Sequence, residues 1–318
     1  MDYQNSAAKY KSVLKKVKPV NEPMPQDINP PLGRPPLSRD PYNTPLSPKP
    51  PKFMVTSKIT QERFELINFG PPGWLSEEER SLLMSVIVLR EKAIAFSAEE
   101  RGLLKHSYGK PYKIPVIPHT PWQKKPIPIP KPIIPQFIEL DLNKVTIKDA
   151  GLPPHIEEFV DAFSGRACYG LGDIMGWYDE RELDISTSPL TTFETPLGRQ
   201  QLTRLPQGAT NSVAVYQAQM TWILQEEIPE NVGIFIDDGG IKGPRSTYNN
   251  EPLQENNLIR RFIWEYAVTL ERILFRIEEA GLTISGIKFA CCVPALDIVG
   301  HVVSLNGRKI SKQKINKI

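Results

Sequence analysis

The stretch that most constrains this chain is Val232-Gly233-Ile234-Phe235-Ile236-Asp237-Asp238-Gly239-Gly240. Alternating and β-branched apolar residues running into a glycine pair predict a short strand followed by a turn. Two adjacent aspartates repel each other, so an ordered site that keeps both ionised calls for a cation close by. Read alone, the segment fits a solvated Asp-Asp-Gly-Gly turn more readily, since Asp and Gly are the commonest turn formers. The rest of the chain has to decide between the two.

The chain has 318 residues and 32 prolines, roughly two-thirds of which precede Asp141. This divides it into a proline-rich front portion and a more globular back portion. A net charge of +3 and a pI of 8.6 permit a nucleic-acid partner without arguing for one. The only cysteines, Cys168, Cys291 and Cys292, are no disulfide framework and point to a reducing intracellular compartment, cytoplasmic or nuclear. Met1 to Lys18 is polar and lysine-bearing and does not read as a secretory signal. The longest apolar run, Leu82 to Leu89, is far short of the roughly 20 residues that span a bilayer, so no membrane partner is expected.

Residues 1–75 read as a largely disordered proline/lysine-rich segment, because too little apolar surface is available to offset the ordering entropy. Residues 76–140 read as short helices and a polyproline connector. Ser76-Glu77-Glu78-Glu79 and Ser97-Ala98-Glu99-Glu100 each fit a capping box ahead of apolar residues. Pro126 to Pro132 is a stiff, extended connector. Residues 141–318 carry the punctuation of an α+β domain. A helix is expected over Pro153 to Phe163, a strand from Ala167 to Ile174, and a strand pair at Leu190 to Glu194 and Gln201 to Leu205. A long helix over Ala209 to Glu227, the Asp-Asp strand and a second long helix from Leu253 to Ala280, capped by Gly281, follow. Strands over Leu282 to Lys288 and Leu296 to Val303 close the domain, with Asn306-Gly307 as a turn. The implied architecture is an antiparallel sheet with helices on one face. In this order one strand ends in Asp173 and the next in Asp237-Asp238. Neighbouring strand ends of that kind can gather three carboxylates around two divalent cations roughly 4 Å apart.

At this point the back portion resembles the reverse transcriptase palm of gypsy-type LTR retrotransposons. The motifs come in the family's order over about Asp141 to Ile318. Leu142-Asn143-Lys144-Val145-Thr146-Ile147 is similar to the segment leading into the palm. Tyr169-Gly170-Leu171-Gly172-Asp173-Ile174-Met175-Gly176-Trp177-Tyr178 is similar to the first catalytic motif. Thr192 to Gly198 resembles the Ala-Phe-x-Thr-Pro-x-Gly hairpin, and Leu205-Pro206-Gln207-Gly208, with Tyr216-Gln217, the Leu-Pro-x-Gly helix motif. Phe235-Ile236-Asp237-Asp238 is similar to the aromatic-x-Asp-Asp box. Ala280-Gly281-Leu282 with Lys288, and Val299-Gly300-His301-Val302-Val303-Ser304, resemble the last palm motif and the primer grip.

The resemblance implies a right-hand polymerase palm and an RNA-directed DNA polymerase acting on an RNA/DNA template-primer and dNTPs. Asp173, Asp237 and Asp238 would hold two Mg2+ ions, or Mn2+. Ile174 would line the nucleotide site. Tyr178 would crowd the sugar 2′ position, where without the motif it reads as a core aromatic. Gln207 and Gly208 would contact nucleotide and template, where alone they read as a turn leading into a helix. Lys288 would protonate the leaving pyrophosphate; alone it is a solvated lysine. Gly300 and His301 would place the primer end, although a lone histidine on an apolar strand is commonly structural. The chain also departs from the family pattern. Gln136 to Leu140 almost abuts Leu142 to Lys144, where the family places a finger hairpin carrying the Lys and Arg that clamp the triphosphate. Gly239-Gly240 stand where apolar residues are usual and should weaken the return strand. The chain stops just past the primer grip, so little thumb is expected, and no protease motif or ribonuclease H segment is seen. The alternative readings are therefore a catalytically inactive retroelement remnant with a palm-like fold and a non-enzymatic scaffold that binds partners through its proline-rich front.

Overall fold

The computed structural model describes residues 20–25, 28–29, 32–51, 54–120, 141–151, 153–173, 177–195, 198–236 and 238–315. In chain order the elements are helix α1 (Gln61–Glu65), α2 (Glu77–Leu89), strand β1 (Ile94–Ala95), α3 (Ile156–Asp161), β2 (Tyr169–Asp173), α4 (Trp177–Glu180), β3 (Phe193–Thr195) and β4 (Gly198–Gln200). There follow α5 (Ser212–Ile223), β5 (Val232–Phe235), β6 (Asp238–Lys242), α6 (Arg261–Ala280), β7 (Ile284–Ser285), β8 (Ala290–Val293), β9 (Ala295–Ile298), β10 (His301–Ser304), β11 (Gly307–Ile310) and α7 (Lys312–Ile315). None of the described helices is long and apolar enough to cross a membrane.

The central sheet is antiparallel throughout, in the order β5-β6-β2-β8. Strand alternation gives it two different faces. Val232, Ile234 and Ile241 point into the main core, built with Tyr216, Met220 and Ile223 of α5 and Ile273, Leu274 and Ile277 of α6. The opposite face packs Tyr169 and Val293 against Phe159, Val160 and Phe163 and against Leu296, Ile298 and Val303. The expected sheet with helices on one face is present. The second face also carries α3 and a three-stranded sheet, β11-β10-β9.

The glycine pair expected to weaken the return strand has a packing role instead. A Cβ on Gly240 would lie 2.4 Å from the Phe163 ring, and one on Gly233 would lie 2.7 Å from it. The ring of Phe163 is fully buried and occupies that space. Apolar side chains at these positions would displace the aromatic layer, so the glycines close the sheet onto it. On the other face a Cβ on Gly170 would lie 2.3 Å from the Tyr266 hydroxyl.

The first capping box forms as read: the Ser76 hydroxyl accepts from the Glu79 amide at 3.1 Å and the Glu79 carboxylate accepts from the Ser76 amide at 3.0 Å. Helix α2 then packs on α6. The second box forms no helix. The Glu100 carboxylate is taken by the Phe96 amide at 2.9 Å and by Arg63 at 2.7 Å, and the chain runs on so that Gly102 presses against the backbone of Gly281. Gly281 is the left-handed cap expected for α6, with φ 81°. That helix starts at Arg261 rather than Leu253, because the Glu79 carboxylate holds the Arg260 amide at 2.9 Å just ahead of it. The β3–β4 hairpin is tighter than expected, because Ser188–Thr191 winds into a 3-10 turn and Arg204 leaves to bridge Glu182. Helix α3 buries Phe159 and Val160, with Phe163 beyond its end, but leaves Ile156 exposed.

The described part of the front portion has no helix or strand between residues 32 and 51, yet it is docked. Arg39 pairs with the buried Glu271 and lies 4.2 Å over the Phe275 ring. Arg34 pairs with Glu226, and the Ser38 amide donates to Glu279 at 3.0 Å. The connector Pro126 to Pro132 lies outside the described residues.

The substitution Gly240→Ala should destabilise the chain by about 1–3 kcal/mol, the usual range for overpacking. The control Gly33→Ala, whose added Cβ meets nothing within 4 Å, should stay within about 0.5 kcal/mol of wild type. Urea denaturation of the two variants measures both, and equal midpoints would contradict the packing role of Gly240.

Candidate active site

Strand β2 ends at Asp173 and β6 begins at Asp238, and the two are direct Cα partners in the antiparallel register. The first and third expected carboxylate positions thus meet at one end of the sheet. Asp237 and Ile174 lie outside the described residues. Phe235 pairs with Asp238 across the β5–β6 hairpin, and its ring stacks 5.4 Å from that of Phe159 on the second face.

The turn joining β5 to β6 is under backbone strain. Ile236 has φ 55°, a conformation a β-branched side chain rarely adopts. Such outliers persist only where their surroundings over-determine them, and they concentrate at functional sites. Here the holding contact is Gln217. Its Nε2 donates to the Ile234 carbonyl at 3.0 Å, and its Oε1 accepts from the Ile236 amide at 3.2 Å. One side-chain amide on α5 therefore spans Phe235 and holds the strained residue by its own amide. Gln217 belongs to a recognised motif, but its role was not legible there; the available signal was a polar residue beside the buried positions Tyr216 and Met220.

Tyr178 sits on α4, half-buried, with its ring 6.5 Å from that of Tyr216. Gln207 and Gly208 are exposed in the loop leading into α5. Asn143 fastens this loop: its Nδ2 donates to the Gly208 carbonyl at 3.0 Å and its Oδ1 accepts from the Thr210 amide at 2.8 Å. Its role too was missed, because nothing local marks a contact between residues so far apart in sequence. Lys288 is exposed between β7 and β8. It lies in the turn ahead of Ala290, which pairs with Leu171, and its amide donates to the Ser285 hydroxyl at 3.4 Å. Gly300 turns the β9–β10 hairpin with φ 73°. His301 is buried, with its Nδ1 3.2 Å from the Val299 carbonyl, so its ring shapes the hairpin rather than facing solvent.

Among the described residues no three acidic, His or Cys side chains cluster. The expected donor set includes Asp237, outside them. In chemical type it suits hard divalent cations, which prefer carboxylate oxygens.

Helix α4 ends in a fully buried carboxyl. Glu180 accepts from the Thr283 hydroxyl and from the Thr283 amide at 3.3 Å, and that hydroxyl in turn accepts from the Gly102 amide at 3.1 Å. Burial, only partly offset by these hydrogen bonds, pushes the Glu180 carboxyl up to about 7.

Searched against protein families, the chain matches no family model. It is 24% identical over 220 residues to the retrovirus-related Pol polyprotein from transposon opus of Drosophila melanogaster, covering 68% of this chain and 20% of that protein. It is 27% identical over 97 residues to the corresponding polyprotein from transposon 412 of the same organism, covering 30% of this chain and 8% of that one. The chain thus spans no more than a fifth of the length of these relatives. Among solved structures it is similar to a foamy viral protease-reverse transcriptase in complex with RNA/DNA hybrid, with TM-score 0.63 and 17% identity over 85% of this chain and 38% of the other. It is also similar to the dRH form of that protein in complex with double-stranded DNA, with TM-score 0.66 and 19% identity over 85% and 51%. The chain is related to retroelement Pol polyproteins and has a reverse-transcriptase-like fold.

Glu180 makes stability depend on pH. Its folded value lies above its unfolded one, so its contribution is complete below about pH 4.5 and is lost as pH rises through about 7. The loss at pH 8 should be on the order of 3 kcal/mol. The variant Glu180→Gln should flatten this slope between pH 5 and 8 in urea denaturation; parallel slopes for variant and wild type would remove Glu180 as its origin.

Proposed function

We propose that the chain is the polymerase palm of a retroelement reverse transcriptase, extending a primer 3′-hydroxyl by two-metal nucleotidyl transfer on an RNA template. The observation that carries this reading is the β2–β6 register, which opposes Asp173 to Asp238 beside the strained turn that leads into Asp237. The similarity to Pol polyproteins and the reverse-transcriptase-like fold support it.

Asp173, Asp237 and Asp238 would hold two magnesium or manganese ions, which when bound activate the primer hydroxyl and neutralise the leaving pyrophosphate. The remaining roles belong to the chain's own residues. Gln217 holds the backbone ahead of Asp237, so that the carboxylates need no reorganisation during transfer. Tyr178 crowds the sugar 2′ position. Asn143 fixes the loop in which Gln207 and Gly208 meet nucleotide and template; the absence of a side chain at Gly208 permits close backbone approach. Lys288, in the turn that leads into β8, is the proton donor to pyrophosphate. Gly300 and His301 shape the hairpin that places the primer end.

A palm that folds without turning over is the second reading. It rests on the near-abutment of residues 136–140 and 142–144, which leaves no room for a triphosphate clamp in the family's place. Cationic clamping supplies several kcal/mol to phosphoryl transfer. Residues 121–140 lie outside the described part of the structure.

Primer extension on an RNA template with magnesium separates the readings. Wild type should extend, and Asp237→Ala should be slower by about a thousandfold or more. Extension absent from both retires the polymerase reading and leaves the inactive palm. In an active protein, Tyr178→Ala should admit ribonucleotides, while unchanged sugar discrimination would remove its gating role. Gln217→Ala should reduce the rate by about 10- to 100-fold and cost about 1–3 kcal/mol of stability; an unaltered rate in the folded variant would show that the turn holds itself.

A further inference from the structure

Arg181 follows Glu180 directly but faces the other way. The residue is more than nine-tenths buried. Nη1 donates to Gln219 Oε1 at 3.1 Å, and Nε has no hydrogen-bond partner. No carboxylate among the described residues reaches ion-pair distance. Buried guanidinium groups are normally paired, because an uncompensated charge in a low-dielectric setting is costly. Burial draws Arg181 down to about 10, which still leaves it charged at neutral pH.

Arg181 forms part of the wall of an open groove of about 850 Å3 lined by Met24, Ile28 and Leu32, the loop 106–112 and the outer side of α5. Gly109 makes room for it: a Cβ there would lie 1.7 Å from Arg181 Nη1. Two carboxylates share the groove, and both are engaged by their own loops. Asp149 accepts from the Gly151 amide at 2.8 Å, and Asp184 from the Ser186 amide at 2.8 Å. The nearby Glu182 is paired with His106 and Arg204. Lys110 stands exposed at the rim, and Trp222 and Tyr112 supply aromatic surface. The groove is distinct from the strand ends, since Gln217 leaves α5 toward Ile234 and Ile236, whereas Gln219 leaves toward Tyr108 and Arg181.

We propose that this groove is a phosphate-binding site in which Arg181, cradled by Gly109 and oriented by Gln219, supplies the charge. A tetrahedral oxyanion is the ligand best suited to a guanidinium that no carboxylate neutralises. The proposal does not rest on the polymerase reading and needs no turnover for its test.

The experiment titrates the full chain with inorganic phosphate, with a nucleoside monophosphate, and with sodium chloride at matched ionic strength. Calorimetric affinity and melting temperature are the readouts. Wild type should bind phosphate and melt higher in it than in chloride. A nucleoside monophosphate binding about tenfold tighter than phosphate identifies a nucleotide as the source, and equal affinities identify the free anion. Arg181→Met should weaken binding at least about tenfold, the worth of one charge-assisted hydrogen bond. Gln219→Glu places a carboxylate on Arg181 from within. It also gives up the Gln219 Nε2 donation to the Tyr108 carbonyl, and it should abolish the phosphate response, which keeps the test decisive if Arg181→Met fails to fold. No phosphate-specific effect in wild type, or an undiminished one in Gln219→Glu, overturns the proposal.

Discussion

The ring of Phe163 lying against bare backbone at Gly233 and Gly240 is the contact on which the rest depends. A β-sheet buried on both faces ordinarily carries apolar side chains on both, which keeps its neighbours at a fixed distance. Here the glycines let an aromatic layer approach the strands closely from one side while Tyr266 approaches Gly170 from the other. A one-residue slip of β6 would turn Asp238 and Gly240 to the opposite face and drive a side chain into Phe163. Packing alone therefore specifies the register that opposes Asp173 to Asp238.

Buried charge fastens the outer elements to this sheet. The Glu79 carboxylate caps α2 and also receives Arg260 through Nε at 2.7 Å and Nη2 at 2.8 Å, joining the start of α6 to α2. Glu227 receives Arg272 in the same two-pronged way, at 2.6 and 2.9 Å. Glu271 receives both Arg39 and Arg90, which ties the proline-rich strap to α6. Against this pattern, Glu180 and Arg181 stand out as neighbours that do not pair. One is a carboxyl without a cation and the other a cation without a carboxylate, because consecutive residues leaving the end of α4 point into different parts of the molecule. Their energetics diverge accordingly: the acid can neutralise itself by taking up a proton, and the guanidinium cannot.

At the strand ends the described supports are neutral amides. Gln217 and Asn143 each use both ends of one side chain to hold two backbone groups, the Ile234 carbonyl and Ile236 amide in one case and the Gly208 carbonyl and Thr210 amide in the other. Neutral supports add no charge that would compete with carboxylates for a cation, and two hydrogen bonds per side chain restrain a loop more tightly than one. The site is thus arranged by groups that would not themselves take part in chemistry.

Much of this was legible in the residues alone. The Leu-Pro-Gln-Gly turn into α5, the Ser76–Glu79 cap and the Gly281 stop are local signals, each written within a few positions, and the elements they mark are where they were expected; the strand before the aspartates was also legible, but it ends at Phe235, and Asp238 and the glycine pair belong to the return strand. The second capping box was legible and misleading, because Glu100 found tertiary partners in Arg63 and the Phe96 amide. The glycine pair of β6 was read as a defect because its justification, Phe163, lies far away in the chain. In sequence, then, the chain determined its motifs, their order and their likeness to a palm, since those depend on spacing and backbone preference. Only the tertiary structure decided the strand register, the docking of the strap, the hold of Gln217 on the Ile236 amide and the isolation of Arg181, because each depends on which distant side chain reaches a buried group first.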